Sequence, residues 1–174
     1  EATLGLFGIS VRASFFDLGG NSLTAVRLVH RIRQTLGRNV RVAALFEAPS
    51  VELLAVRLRE DGDDPEGLLV PMRATGDRPR IFCTHQIGGG VFRYAHLAHQ
   101  LGPDQPFYAF EQIRKGVLAD RVEAMAAECV EDLLRFQPSG PYIIGGYSIG
   151  GVIAIEMARM LLEGGHEVGP LFLF

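Results

Sequence analysis

Cysteine is scarce in this 174-residue chain. Cys83 and Cys129 are the only two, too few for a disulfide framework, so a reducing, cytoplasmic setting is expected. Long hydrophobic runs are absent as well. No stretch approaches the roughly 20 apolar residues of a membrane span, and no signal peptide is expected to open the chain. A strong charge of one sign is also missing. The formal net charge is −3, which gives no reason to expect nucleic acid or an anionic membrane as partner. No metal site is expected and no internal repeat is visible. What is present is 48% hydrophobic and 21% charged residues, enough apolar material for a real core.

The charge is unevenly spread. Residues 1–60 carry 8 Lys/Arg against 5 Asp/Glu, a net of +3, and residues 61–174 carry 9 against 15, a net of −6. The sign changes at "EDGDDPEG", residues 60–67. An acidic stretch with two glycines and a proline buries nothing and reads as a linker. The chain thus divides into a domain at 1–60, a linker at 61–67 and a domain at 68–174.

The first segment reads as all helix. In "NSLTAVRLVHRIRQTLG" the residues Leu23, Val26, Val29, Ile32 and Leu36 recur every three or four positions, with Gly37 as the stop. In "SVELLAVRLRE", Val51, Leu54, Ala55 and Leu58 repeat that spacing behind Ser50 as N-cap. "VAALFEAP" between them reads as a short helical piece, and the opening "EATLGL" as the last turn of another helix. A small helical bundle with one long loop over 7–20 follows.

That loop ends in "FFDLGGNSL", residues 15–23. Its glycines permit a sharp entry, and Asn21 or Ser22 then starts the helix. On spacing alone Ser22 is either a plain N-cap or a hydroxyl at the positive end of the helix dipole, a place that suits a phosphate. Arg27, Arg31 and Arg33 follow on the same helix, as a solvated face or as a docking surface. The stretch resembles the D-x-G-G-[HDN]-S-L attachment motif of carrier domains in nonribosomal peptide synthetases. The resemblance implies a four-helix carrier bundle whose Ser22 bears 4′-phosphopantetheine, with a thiol that holds an acyl or peptidyl thioester. It also implies a phosphopantetheinyl transferase and upstream condensation and adenylation domains as partners.

The second segment reads as alternating strand and helix. Short apolar runs stand at "LLVPM", "RIFCTH", "PFYAFE", "PYIIGGY" and "PLFLF", mostly continuous, as expected of strands covered on both faces. In "RVEAMAAECVEDLLRF" the residues Val122, Met125, Ala126, Cys129, Val130, Leu133 and Leu134 keep helical spacing, which puts Cys129 on a core face. Cys83 lies inside a strand run, so both thiols read as buried and inert. "IGGVIAIEMARMLLEGG" is apolar nearly all round, with Glu156, Arg159 and Glu163 as a thin polar stripe, and is expected to be largely buried. This alternation predicts a mostly parallel sheet with helices on its faces.

Gly146-Tyr147-Ser148-Ile149-Gly150 falls between the strand "PYIIGG" and that buried helix. A G-x-S-x-G on a strand-to-helix turn is the context of a nucleophile elbow. The turn lifts the Ser148 Oγ clear of the sheet, small residues two positions either side let strand and helix pack, and the Ile149 N–H faces a developing oxyanion. "THQIGGG", residues 84–90, resembles the H-P-x-G-G loop of thioesterase domains that release products from nonribosomal peptide and polyketide assembly lines. The resemblance implies an α/β-hydrolase fold, of which this chain holds the N-terminal part, and a second oxyanion donor at the Ile87 N–H. The loop departs from the family at Gln86, where proline is frequent, which puts a side-chain amide beside the acyl pocket. His85 precedes the serine and ends a strand, and is read as structural.

The resemblance implies that Ser148 attacks the thioester carbonyl to form an acyl-enzyme, which is then released by water or by ring closure. The triad partners are the gap. After Ser148 the chain has no aspartate and a single histidine, His166, in a turn expected at the far edge of the sheet. The family's aspartate is expected directly after Phe174 and its histidine later still. Two functions of different classes stay open: a thioesterase completed by residues beyond Phe174, and a carrier and docking module whose hydrolase portion has no chemistry.

Overall fold

The computed structural model describes residues 3–38, 40–59, 67–87, 89–111 and 120–174, with Ser22 described by its backbone. The linker expected at 61–67 lies outside the described residues except for Gly67. Two compact units result, residues 1–66 and 67–174.

The first unit contains α1 (Ser22–Leu36), α2 (Ala44–Glu47) and α3 (Val51–Arg59) among its described residues. The opening stretch is a turn over residues 3–5. Asn21, in extended conformation, caps α1: its side chain accepts from the Leu23 and Thr24 N–H groups, and Thr24 returns a bond to the Asn21 N–H. Gly37 ends the helix with φ 66, a left-handed conformation that costs glycine nothing. Ser50 starts α3, its Oγ accepting from the Leu53 N–H at 3.2 Å.

The inward face of α1 differs from the stripe expected. Ala25 and Ile32 are buried, with Leu28 and Val29 half-buried beside them, whereas Leu23, Val26 and Leu36 are 60%, 54% and 59% exposed. Positions 25, 28, 29 and 32 form one helical face at i, i+3, i+4 and i+7. The other buried apolar residues of this unit include Phe15, Val40, Ala43, Ala44, Leu45 and Leu54. On α3, Leu54 is buried but Val51 is exposed.

The loop before α1 is tied down at its end. The Phe15 N–H donates to the Pro49 carbonyl at 2.6 Å, the Glu52 N–H donates to Val11, and the Gly20 N–H donates to Phe15. The Phe16 ring stacks on Phe46 with centroids 4.6 Å apart. A side chain at Gly20 would run into the Phe15 ring and carbonyl, so the turn into α1 closes only with glycine there.

The second unit is a five-stranded sheet of order β1-β3-β2-β4-β5. Its strands are β1 (Leu69–Arg73), β2 (Ile81–Thr84), β3 (Phe107–Phe110), β4 (Tyr142–Gly146) and β5 (Val168–Leu173). β1 runs antiparallel to β3 and every other pair is parallel. α4 (Tyr94–Gln100), α5 (Val122–Phe136) and α6 (Ile149–Glu163) complete it. Ala126, Cys129 and Leu133 of α5 and Ile153, Ala154, Met157 and Leu161 of α6 pack on Phe82, Tyr108, Phe110 and Ile144. Strand side chains alternate faces, so Phe107 turns the other way, where Tyr94 of α4 meets it at 5.8 Å between ring centroids.

The face predicted for α5 is the face observed. On α6 the prediction is too generous: Val152, Ile155 and Leu162 are 49%, 48% and 60% exposed. They share the outer side with the Arg159 ion pairs to Glu156 and Glu163. Cys83 and Cys129 are free and buried. Desolvation pushes the Cys83 thiol up to about 12 and raises that of Cys129 further, which leaves both protonated and unreactive near neutrality.

Candidate acyl-transfer site

β4 ends at Gly146 and α6 begins at Ile149. Ser148, between them, takes φ 57 and ψ −123, and is the one non-glycine residue of positive φ among the described residues. A β-carbon in that region is strained, a conformation that persists only where the surroundings over-determine it. They do so here. A Cβ on Gly146 would collide with the Gly150 backbone, and one on Gly150 would stand 2.6 Å from the His85 carbonyl oxygen and 2.8 Å from that of Thr84. Strand, turn and helix can approach this closely only with glycine at both positions.

Hydrogen bonds complete the clamp. The Ser148 N–H donates to the Phe174 carbonyl and the Phe174 N–H to the Gly146 carbonyl, both at 3.1 Å. The Thr84 hydroxyl donates to the Gly150 carbonyl. Tyr94, 3% exposed, donates its phenolic O–H to the Thr84 carbonyl at 2.7 Å and accepts the Tyr147 N–H at 3.0 Å. One buried hydroxyl thus ties the end of β2 to the residue before Ser148. Burial raises the phenol well above its ordinary range, so it keeps its proton near neutrality.

Ser148 is exposed and its side chain makes no capping bond to α6. The first helical turn bonds through the Gly150 N–H to Tyr147 and the Gly151 N–H to Ser148, which leaves the Ile149 N–H at the positive end of a 15-residue helix. Ile87 lies on the loop leaving β2 and is 84% exposed. The His85 carbonyl, two residues earlier, abuts Gly150, so the loop and the elbow are in contact. His85 itself is buried, its Nδ1 donating to the Gln86 carbonyl at 2.9 Å.

The remaining ionisable groups after Ser148 are not brought to it. β4 and β5 are parallel, with Tyr142 beside Val168 at one end and Gly146 beside Leu173 at the other. His166 precedes β5 and its ring lies 6.0 Å from that of Tyr142, at the end of the strands away from Ser148. Glu156 and Glu163 are engaged by Arg159 on the outside of α6. In the first unit, Ser22 is the first residue of α1, the cap being Asn21. No acidic residue occupies the first turn of that helix, so a phosphodiester on residue 22 would meet the positive helix end without a like charge in that turn. Arg27, Arg31 and Arg33 are exposed.

Two residues of this arrangement escape the sequence reading: Arg93 and Tyr94, at the start of α4. The signal available for α4 is the spacing of Tyr94, Leu97, Ala98 and Leu101 at i, i+3, i+4 and i+7.

The family model described as a thioesterase domain matches residues 79–174. The chain belongs to the thioesterase domain family. A second model, described as a phosphopantetheine attachment site, matches residues 3–58, so the thioesterase portion follows a carrier domain. Among curated relatives, the chain is 40% identical over 170 residues to a dimodular nonribosomal peptide synthase of Bacillus subtilis (strain 168), covering 95% of this chain and 7% of that protein. It is 36% identical over 170 residues to an indigoidine synthase of Dickeya dadantii (strain 3937), covering 95% and 11%. It therefore spans only about a tenth or less of these relatives' length. Among solved structures it is similar to a four-domain nonribosomal peptide synthetase bound to AMP and glycine, at 30% identity and a TM-score of 0.62 over 99% of this chain and 13% of that one. It is also similar to the NocB thioesterase domain in covalent complex with a fluorophosphonate nocardicin G analogue, at 33% identity and a TM-score of 0.51 over 57% and 45%. The second unit has the α/β-hydrolase fold of such thioesterase domains.

Proposed function

We propose that this chain carries an acyl or peptidyl thioester on Ser22 and releases it through an acyl-enzyme on Ser148 in nonribosomal peptide biosynthesis. The observation that carries the reading is the strained backbone of Ser148 between two glycines that admit no side chain. The domains are read as carrier at 1–60, linker at 61–67 and thioesterase at 68–174. The reading needs a phosphopantetheinyl transferase to modify Ser22, upstream condensation and adenylation domains of the same assembly line, and the reducing cytoplasm in which both cysteines stay free.

Ser22 would hold phosphopantetheine, which would supply the thiol that carries the acyl group. The Ser148 Oγ attacks the thioester carbonyl. A C–O bond forms, the C–S bond breaks, and the serine proton passes through a base to the departing thiolate. The Ile149 and Ile87 N–H groups receive the tetrahedral oxyanion, a contribution of about 3 kcal/mol per donor in comparable sites. Water, or an amine or hydroxyl of the acyl group itself, then takes the acyl carbon and returns the proton to Ser148, giving an acid or a ring. The base and its orienting carboxylate are expected as a histidine and an aspartate following Phe174. The hydrogen bonds between Phe174 and the elbow support that placement, because they hold Phe174 beside Ser148.

The test uses the full-length protein. A fluorophosphonate probe is expected to label Ser148, and Ser148→Ala to abolish the label while the protein stays folded. Treatment with a carrier-protein transferase is expected to add one phosphopantetheine mass, lost in Ser22→Ala. Modification at Ser22 without any labelling at Ser148 would leave a carrier and docking module in place of an esterase.

A further inference from the structure

Tyr147 and Gln86 flank the two positions that matter most in the reading above, Ser148 and Ile87. One side chain holds both. The Arg93 Nε–H donates to the Gln86 Oε1 at 2.8 Å, and the Arg93 guanidinium carbon stands 4.3 Å from the centroid of the Tyr147 ring. Gln86 and Tyr147 are half-buried and Arg93 is exposed, so the bracket closes over the elbow from the solvent side. The Gln86 main chain is already pinned, its carbonyl accepting from the Gly89 N–H at 3.0 Å and from His85. Residue 94, the next along, pins the same two segments from beneath through backbone groups of Thr84 and Tyr147. The start of α4 therefore grips the loop and the elbow at two levels.

A guanidinium stacked on an aromatic ring is held in its plane, which spends less rotamer freedom on the hydrogen bond to Gln86. The consequence is a fixed spacing between loop and elbow, and so between the two oxyanion donors the reading assigns. We propose that Arg93 is a positioning residue for acyl transfer at Ser148, acting through Gln86 on the loop donor and through Tyr147 on the nucleophile. The proposal rests on Ser148 being the nucleophile. A misplaced donor or nucleophile lowers the rate of the chemical step without weakening the encounter with a small probe.

The experiment measures phosphonylation of Ser148 in the full-length protein by a small alkyl fluorophosphonate, separating the maximal labelling rate from the probe concentration at half-maximum. Arg93→Ala and Gln86→Ala are each expected to lower the maximal rate about ten-fold, a fraction of what loss of a whole oxyanion donor costs, with the half-maximal concentration unchanged. The double variant is expected to be no slower than either single one, because the two residues act as one unit. Hydrogen exchange of the peptides covering 84–92 and 142–149 is expected to quicken in both segments in Arg93→Ala. Wild-type labelling rates in Arg93→Ala, or single effects that multiply in the double variant, would overturn this proposal and leave the Ser148 reading intact. A wild-type protein that does not label at Ser148 overturns that reading first, and the positioning role with it.

Discussion

Ser148 and Ser22 each stand at the start of a 15-residue helix, and the two helix starts are built on opposite plans. At α6 the serine is itself the cap residue, at φ 57 and ψ −123, with no side-chain bond to the helix. At α1 the cap is Asn21 in ordinary extended conformation, joined to Thr24 by a reciprocal pair of hydrogen bonds, and residue 22 follows as plain helix. A strained start survives where packing enforces it, and an unstrained one needs only a local cap. A nucleophile gains from the first plan, because its Oγ is held out of the sheet and spared from capping. An attachment residue gains from the second, because a modifying enzyme must reach a helix start of ordinary, unstrained geometry.

The sharpest way to break the contrast is a methyl group at Gly146. Its Cβ would enter the Gly150 backbone, which no rotamer change can relieve. Gly146→Ala is expected to cost the second unit about 3 kcal/mol, the upper end of overpacking penalties, and to abolish labelling of Ser148. Urea unfolding followed by hydrogen exchange of peptides from each unit checks it. The first unit, which is compact by itself, is expected to keep its wild-type protection.

Next in size is Tyr94→Phe. The ring stays, and so does its contact with Phe107. What goes is the hydroxyl that joins the Thr84 carbonyl to the Tyr147 N–H. Two backbone groups lose a buried partner, an effect of about 2 kcal/mol. Faster exchange of the Tyr147 amide is the local signature. A Tyr147 amide as protected in Tyr94→Phe as in wild type would mean that the glycine contacts alone enforce the strain.

What the sequence discloses follows the same division. The five strands are legible as apolar runs, and the elbow is legible because its constraints (two glycines, a strand and a helix) lie within a few residues of one another. The inward face of α1 is harder to read. Ala25, which is buried, weighs little in an apolar pattern beside Leu23 and Val26, which are exposed; a core this small selects for alanine over bulk. The outer side of α6 misleads for the converse reason, since Val152, Ile155 and Leu162 read as core and are about half exposed. The roles of Arg93 and Tyr94 cannot be read locally at all. Tyr147 is 53 residues from Tyr94, and only the fold brings a helix start, a loop and an elbow to one place.

The smallest effect tests the other helix. Asn21→Ala removes the side-chain acceptor of the Leu23 and Thr24 N–H groups, and such a loss costs about 1 kcal/mol. The close approach at Gly20 still holds the entry to the helix, so the change should appear as fraying confined to the first turn of α1. Hydrogen exchange at residues 22–25 should quicken, with no change in the second unit. Asn21→Ser keeps a capping oxygen and is expected to restore most of the protection. The consequence for function would be a slower modification of Ser22 by the transferase, measured as the rate of phosphopantetheine mass gain. An unaltered rate in the frayed helix would show that the transferase reads residue 22 from a flexible segment, and that the cap serves the fold of the bundle alone.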